Sequence, residues 1–230
     1  MRLLYFNITF IFLINCAVEG PVAGGPNDIS GPEMTKISKV SGSQITKKEI
    51  IKIEFDEDIK PGSIYRSIES NNDVVYNLSG STIFISPKTN WQEPIFIDIS
   101  RELTDFQNNK IQKSLNLAYS INGIIPEYSI NGVLYEIDTT DIFKVYLYQY
   151  PIDRNIQNLD TNITFSYYRK TDSDINGNFS FKNIHYDKYI VVAVGSNILD
   201  PKEVVYKNQF SLSNTEFVIP QKIENNNKIK

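Results

Sequence analysis

The sequence has 230 residues, of which 41% are hydrophobic and 22% are charged, and its formal net charge is −4. A chain with this charge balance has no basic stripe of the kind that binds phosphate backbones, so we expect no nucleic-acid partner. Its length allows two domains, each with a hydrophobic core of its own. The chain contains one cysteine and one histidine, which excludes an internal disulfide and a zinc site made of several imidazoles.

The first residues have the order of a bacterial lipoprotein signal. Arg2 supplies a positive charge, and residues 3–14 form an apolar run with two polar interruptions. A helix needs about 20 apolar residues to cross the hydrocarbon of a membrane, whereas a signal peptide needs a run of about 7–15. We therefore predict a signal peptide over residues 1–15 and a lipid on Cys16.

Asn15 departs from this pattern, since the residue before a lipidated cysteine is usually Gly, Ala or Ser. The alternative is an ordinary secretory signal followed by an incidental cysteine. In the lipoprotein interpretation, several acyl chains on Cys16 anchor the protein stably, because each buried methylene contributes about 0.8 kcal/mol. The glycines and prolines that follow predict a lipidated, flexible tether over residues 16–32.

Short strand signals recur over residues 33–122, with turn signals between them. Residues 51–55 and 95–99 place isoleucine or phenylalanine at every second position, as half-buried strands do. Further short runs lie at residues 74–76, 83–85 and 115–119. No stretch keeps a helical period over three turns, so we predict an antiparallel β-sandwich rather than alternating strands and helices.

A joint at residues 123–127 precedes a second set of strand signals. These runs lie at residues 128–135, 143–148, 164–168, 178–181 and 189–194. The last run is almost continuously apolar, which predicts a central strand covered on both faces. Asn176 and Gly177 predict a two-residue hairpin turn. We expect a second β-sandwich over residues 127–220 and a disordered tail over residues 221–230.

Three separate segments of the first half share a recognisable pattern. They are Gly24-Gly25-Pro26-Asn27-Asp28 after Cys16-Ala17, Phe55-Asp56-Glu57-Asp58-Ile59, and Asp105-Phe106-Gln107-Asn108-Asn109. The pattern resembles that of the bacterial Ig-like domain lipoproteins common in the Bacteroidetes. The resemblance implies an Ig-like β-sandwich carried on a lipid anchor.

In the second half, a pattern runs from residues 129–132 through residues 174–184 to Tyr189. It is similar to that of carboxypeptidase-regulatory-like domains, which implies a small prealbumin-like β-sandwich. Residues 185–188 stand where those domains usually have a glycine turn. Such sandwiches host many functions, so the resemblance implies an architecture rather than an activity.

Two acidic segments contain the residue types of a metal site. Asp172, Asp174 and Asn176 resemble the first half of a calcium loop, in which oxygen ligands alternate. Asn183 occupies the position of the bidentate glutamate, so we predict a turn there and no bound metal. Residues 56–58 could pair as a metal site or as an acid and a base, but their place directly after a strand favours a solvated loop.

Aromatic side chains provide a candidate ligand surface. Trp91 and the alternating Tyr146, Tyr148 and Tyr150 could stack on a sugar, although alternate tyrosines on a strand also pack across strands. His185 is the only imidazole that could act as a base. Since no nucleophile motif accompanies it, we predict a surface histidine and a protein that is not an enzyme.

Together these patterns predict an all-β chain of two tandem antiparallel β-sandwich domains, Ig-like and then prealbumin-like, after a lipoprotein signal peptide. The predicted function is that of a non-catalytic outer-membrane lipoprotein, anchored to the membrane through lipid on Cys16, that acts as a structural or protein-interaction module of the cell envelope. Its expected partners are envelope proteins or glycans, and it needs no cofactor. The alternative is a carbohydrate-binding or adhesin-like surface lipoprotein. The sequence does not distinguish between a position on the periplasmic face and one on the cell-surface face of the outer membrane.

Overall fold

The computed structural model describes residues 27–134, 142–150, 167–194, 204–206 and 221–222. These residues form β-strands in several mainly antiparallel sheets, together with one short helix, which confirms the all-β prediction. No helix in these ranges is long and apolar enough to cross a membrane. The predicted signal peptide and Cys16 lie outside the described residues.

The elements follow one another closely along the chain. The first strands are β1 (Met34–Ile37), β2 (Ser43–Gln44), β3 (Ile51–Phe55), β4 (Ile68–Ser70), β5 (Val74–Ser79), β6 (Thr82–Pro87), β7 (Ile95–Ile99) and β8 (Leu115–Ser120). The later strands are β9 (Tyr128–Leu134), β10 (Lys144–Gln149), β11 (Arg169–Asp172), β12 (Asn178–Ile184), β13 (Tyr189–Val194), β14 (Val204–Tyr206) and β15 (Gln221–Lys222). Helix α1 (Pro61–Ser67) begins with a proline, whose missing N–H costs nothing in the first turn.

Strands β1 to β8 form two sheets, which we call the N-terminal sheets. One has the order β1-β3-β6-β5, and the other has the order β2-β8-β7-β4, in which β2 is parallel to β8. Alternate residues of β3 and β7, such as Ile53 and Ile97, are fully buried between the sheets in one hydrophobic core. The strands predicted at residues 51–55, 74–76, 83–85, 95–99 and 115–119 are confirmed as β3, β5, β6, β7 and β8.

Strands β9 to β15 form two further sheets, the C-terminal sheets. Their orders are β11-β10-β13 and β12-β9-β14, and β15 also pairs with β9. Residues such as Val145, Phe181 and Tyr189 form a second core that is separate from the first. A larger residue in place of Gly132 of β9 would displace the ring of Phe179, because a Cβ atom at this position would lie 2.2 Å from that ring.

Three predictions for this second half are wrong in detail. Strand β13 lies at the end of its sheet order within the described residues, and its side chains alternate between buried and half-buried instead of being covered on both faces. The turn at Asn176 and Gly177 joins β11 to β12, which belong to different sheets, and only Gly177 has a positive φ, of 78°. Gln221–Lys222, predicted as the start of a disordered tail, instead pair with Ser129 and Tyr128 of β9.

The segment before β1 is more closely packed than a tether would be. Gly31 and Pro32 are buried, and a Cβ atom on Gly31 would lie 2.0 Å from the carbonyl oxygen of Lys110. The side-chain amide of Asn109 donates a hydrogen bond of 3.1 Å to the carbonyl oxygen of Asp28. The packed part of the chain therefore includes Asp28, and the predicted tether over residues 16–32 extends too far.

Candidate functional site

Trp91 is a core residue and not part of a ligand surface. Its side chain is only 2% exposed, and it belongs to the core between the N-terminal sheets. The indole N–H donates a hydrogen bond of 2.8 Å to the carbonyl oxygen of Glu49. A buried tryptophan needs such a partner, so both the ring and its polar atom are already used within the fold.

The three tyrosines of the β10 segment differ in exposure. Tyr146 is half-buried, Tyr148 is 6% exposed and Tyr150 is 42% exposed. The Tyr146 ring lies 5.3 Å from the ring of Tyr167 on the neighbouring segment. Burial raises the pKa of Tyr148 to about 12. This arrangement corresponds to packing between strands, which was the alternative to sugar binding in the sequence analysis.

The candidate calcium ligands Asp172 and Asp174 form separate hydrogen bonds within the protein. One Asp174 carboxylate oxygen accepts hydrogen bonds of 2.9 Å from the backbone N–H groups of both Asn176 and Asn178. Asp172 is buried in β11 and accepts a hydrogen bond of 2.6 Å from the backbone N–H of Arg101 in the N-terminal half. Asp174 therefore stabilises a turn and Asp172 joins a different network, as the turn interpretation predicts.

His185 lies in the turn between β12 and β13 and is exposed. Its carbonyl oxygen accepts a hydrogen bond of 3.0 Å from the Tyr189 hydroxyl. This contact is made by the backbone of His185, and the exposed side chain agrees with the predicted surface histidine.

A different acidic cluster forms where three distant segments meet. Asp28, Glu57 and Asp105 place carboxylate oxygens within 4.8 Å of one another. Burial, followed by the charges of Asp105 and Asp28, raises the pKa of Glu57. Hard divalent cations prefer such oxygen ligands, so these three residues have the chemistry to hold one.

Two members of this cluster, Asp28 and Asp105, also have a structural contact. Asp105 is 1% exposed and accepts hydrogen bonds from the backbone N–H and the side-chain amide of Asn109, at 2.7 and 2.8 Å. Asp28 accepts a hydrogen bond from the hydroxyl of Ser30 at 2.7 Å. Sequence reasoning missed the grouping, although each carboxylate lies in one of the three segments that carry the Ig-like resemblance.

The most extensive polar site lies where β11 packs against the N-terminal sheets, and we call it the junction. Its centre is an ion pair in which the Arg169 guanidinium donates to the two carboxylate oxygens of Asp98 at 2.6 and 3.2 Å. Arg169 is 1% exposed, and its guanidinium lies 4.2 Å from the centre of the Phe96 ring. Bidentate geometry and the aromatic face make this the strongest kind of arginine–carboxylate contact.

A second ionic contact flanks the first. Glu69 of β4 forms an ion pair with Lys170 and accepts a hydrogen bond of 2.6 Å from the hydroxyl of Tyr167. Burial and the adjacent Glu69 carboxylate raise the pKa of Tyr167, which keeps its hydroxyl protonated as a donor. The pKa of Glu69 is lowered because the contacts from Lys170 and Tyr167 outweigh the effect of burial.

Neutral side chains fill the space between these charges. The hydroxyl of Thr171 donates to the side-chain carbonyl of Asn116 at 2.9 Å, and the amide of Asn116 donates to Asp98 at 2.7 Å. Ser114 lies 2.7 Å from the hydroxyl of Thr171. The junction also encloses a cavity of about 10 Å³ that Asp172 helps to line, roughly the room for one water molecule. The arrangement joins the two halves by a network of polar contacts, beside the aromatic contact between Phe96 and Tyr168.

Asp172 is the junction carboxylate most penalised by burial. Burial raises its pKa, while the N–H of Arg101 and the charges of Lys170 and Lys144 oppose that rise. Only one of its carboxylate oxygens has a hydrogen-bond partner. Ionisation of Asp172 is therefore less favourable inside the protein than in water.

Replacing Asp172 with asparagine should change how stability depends on pH. A carboxyl group whose pKa is raised by folding stabilises the protein fully below its ordinary pKa, and this contribution is lost as the pH rises through the raised pKa. Asparagine does not ionise, so the difference in unfolding free energy between Asp172→Asn and the unaltered chain should shift in favour of the variant between about pH 4 and pH 7. Urea unfolding at both pH values measures this shift. The exposed Asp73→Asn controls for the lost charge, and a constant difference would contradict the assignment.

Comparisons with known proteins add little. No family model matches the sequence, and no curated protein matches it. The solved structures that resemble the chain include an LD transpeptidase in complex with imipenem, at 10% identity and a TM-score of 0.28, covering 71% of this chain and 80% of that one. They also include an L,D-transpeptidase from Mycobacterium smegmatis, at 10% identity and a TM-score of 0.27, covering 71% of this chain and 79% of that one. Likeness at these TM-scores carries no conclusion about this chain.

Proposed function

We propose that the chain is a non-catalytic outer-membrane lipoprotein that acts as a structural or protein-interaction module of the cell envelope. The observation that carries this proposal is the order of its first residues, in which Arg2, an apolar run over residues 3–14 and the single cysteine Cys16 follow one another. This is the order of a lipoprotein signal, and the run is too short for a permanent membrane span.

The packing of residues 28–32 supports this arrangement. Because Asp28 and Gly31 contact the body of the protein, the free tether reduces to the residues between Cys16 and the first packed residue. Residues 17–27 can span at most about 40 Å when fully extended. The folded part of the protein would therefore stay close to the membrane. The loop that contains Asn109 would lie near the point where the tether meets the fold.

We further propose that the two halves are an Ig-like and a prealbumin-like sandwich. Two observations support the division. The cores of the N-terminal and C-terminal sheets are separate, and each core lies between two sheets. The junction would then hold the two sandwiches at one fixed angle, because the ion pair of Arg169 and Asp98 has a directional, bidentate geometry. A module of this kind presents a surface of constant shape.

Metabolic labelling with a clickable fatty acid tests the anchor. The unaltered chain should take up the label, and Cys16→Ala should not, because the alanine variant has no thiol to acylate. Asn15→Gly is the matched control, since it brings the cleavage site closer to the usual pattern and should label at least as strongly. An unlabelled wild-type chain, or equal labelling of Cys16→Ala, would exclude lipid anchoring at this residue.

A further inference from the structure

The outer edge of β5 has no partner strand among the described residues. β5 is the last strand in the order β1-β3-β6-β5 and pairs only with β6. An edge strand presents unpaired N–H and C=O groups, which makes it a template for pairing with another chain. Proteins usually protect such edges with charges, proline, a bulge or very short strands.

The other edges of the N-terminal sheets have this protection. β1 has a register shift between Met34 and Lys36, and Lys36 is exposed. β2 has two residues, and β4 has three, of which Glu69 is held by contacts with the β11 segment. β5 has six residues without charge, proline or glycine, and it pairs with β6 without a register shift.

Alternate residues of β5 form backbone hydrogen bonds with β6, and one hydrogen bond shows which residues these are. The carbonyl oxygen of Asp73 accepts a hydrogen bond of 2.9 Å from the N–H of Lys88, which continues the ladder between β5 and β6. Bonded pairs alternate along an antiparallel ladder. The odd-numbered residues of β5 therefore bond to β6, and the N–H and C=O groups of Val74, Tyr76 and Leu78 point away from the sheet.

The side chains of these same three residues are only partly covered. Val74, Tyr76 and Leu78 pack against the core of the N-terminal sheets but stay half-buried. The ring of Tyr65, which is 77% exposed, lies 6.5 Å from the ring of Tyr76. On the opposite face of β5, Val75 is 41% exposed. One more strand on this edge would cover both backbone groups and apolar surface.

We propose that β5 pairs with β5 of a second copy of this chain, antiparallel and about a twofold axis through Tyr76. In this register Val74 lies opposite Leu78 of the partner subunit, so the residues with outward-pointing backbone groups meet each other. Side chains that face the core remain on that face, whereas a shift by one residue would reverse them. An uncharged strand meets no like charge in its own copy, and a twofold contact is self-complementary.

An engineered disulfide tests the register. Paired Cα atoms at a hydrogen-bonded position lie about 5.5 Å apart, within the range that a disulfide bridges. The full-length Tyr76→Cys chain, oxidised in cell membranes, should run on a non-reducing gel at twice the monomer mass. Lys36→Cys, on the protected edge of β1, should stay at the monomer mass. Cross-linking of Tyr76→Cys only to other proteins would overturn the proposal.

A charge exchange on the exposed face tests the interface without altering the core. Val75 lies opposite Asn77 of the partner subunit in the proposed register, and both side chains are exposed. In light scattering of the detergent-purified protein, the unaltered chain should have the mass of a dimer. The chain with both Val75→Lys and Asn77→Lys should have the mass of a monomer, because lysines then face each other. Val75→Lys combined with Asn77→Glu should retain the dimer. A monomeric unaltered chain, or a dimer that survives the double lysine change, would overturn the proposal.

Discussion

Replacing Arg169 with methionine should lower the free energy of unfolding by about 3–5 kcal/mol, the cost expected when one partner of a buried ion pair is removed. Arg169 is 1% exposed and donates two hydrogen bonds to Asp98, whose side chain is 15% exposed. Methionine fills much of the same volume, so the main loss is electrostatic: the Asp98 carboxylate stays partly buried without its cation. Contact with the Phe96 ring is also weakened.

Chemical unfolding followed by circular dichroism measures this effect. Lys144→Met is the matched control, because its ion pair with Glu102 is much more exposed, at 36% and 33% for the two side chains. Exposed pairs contribute about 0–1 kcal/mol, so the control should lose little stability. If both variants lose the same small amount, the junction does not hold the two halves together.

Replacing Trp91 with alanine should destabilise the protein by about 3–5 kcal/mol, as large-to-small changes of buried aromatic residues do. The variant loses a fully packed ring and leaves the carbonyl oxygen of Glu49 without its indole donor. Because Trp91 is the only tryptophan, unfolding must again be followed by circular dichroism rather than by tryptophan fluorescence.

The control for this prediction is Tyr65→Ala. Tyr65 is an aromatic residue that is 77% exposed, and substitutions at exposed positions usually change stability by less than about 0.5 kcal/mol. A Trp91→Ala chain that is as stable as the Tyr65→Ala chain would contradict the burial of Trp91. Sugar binding by Trp91 would then again be a candidate function.

Local alternation was sufficient to predict most strands of the N-terminal sheets. In β3, the isoleucines at positions 51 and 53 alternate with Lys52 and Glu54, and the structure buries the former and leaves the latter half-exposed. The period of two residues carries this information directly. The absence of a helical period likewise agrees with a single helix, α1 (Pro61–Ser67), in the described part of the chain.

The junction could not be predicted in the same way. β11 reads Arg-Lys-Thr-Asp, a polar sequence typical of an exposed segment, yet all four residues are buried. The sequence pattern predicts a strand just before β11, over residues 164–168, of which 164–166 lie outside the described residues. Burial of Arg169 depends on Asp98, which lies 71 positions earlier in the chain, and no periodicity links two such positions.

The acidic cluster and Trp91 show the same limit. Asp28, Glu57 and Asp105 meet only because the segment before β1 packs against the loop near Asn109, and the glycine-rich composition there predicted a tether. A single tryptophan between turn residues has no repeat from which burial can be inferred. In both cases, contacts between distant segments decide the outcome, and local composition does not encode them.

The mass of the mature N-terminal peptide tests the central claim most directly. After purification from membranes and proteolysis, the account predicts a peptide that begins at Cys16 and carries the mass of a lipid on that residue. A mature chain that begins at Ala17, retains Met1, or begins at Cys16 without any lipid would contradict the account.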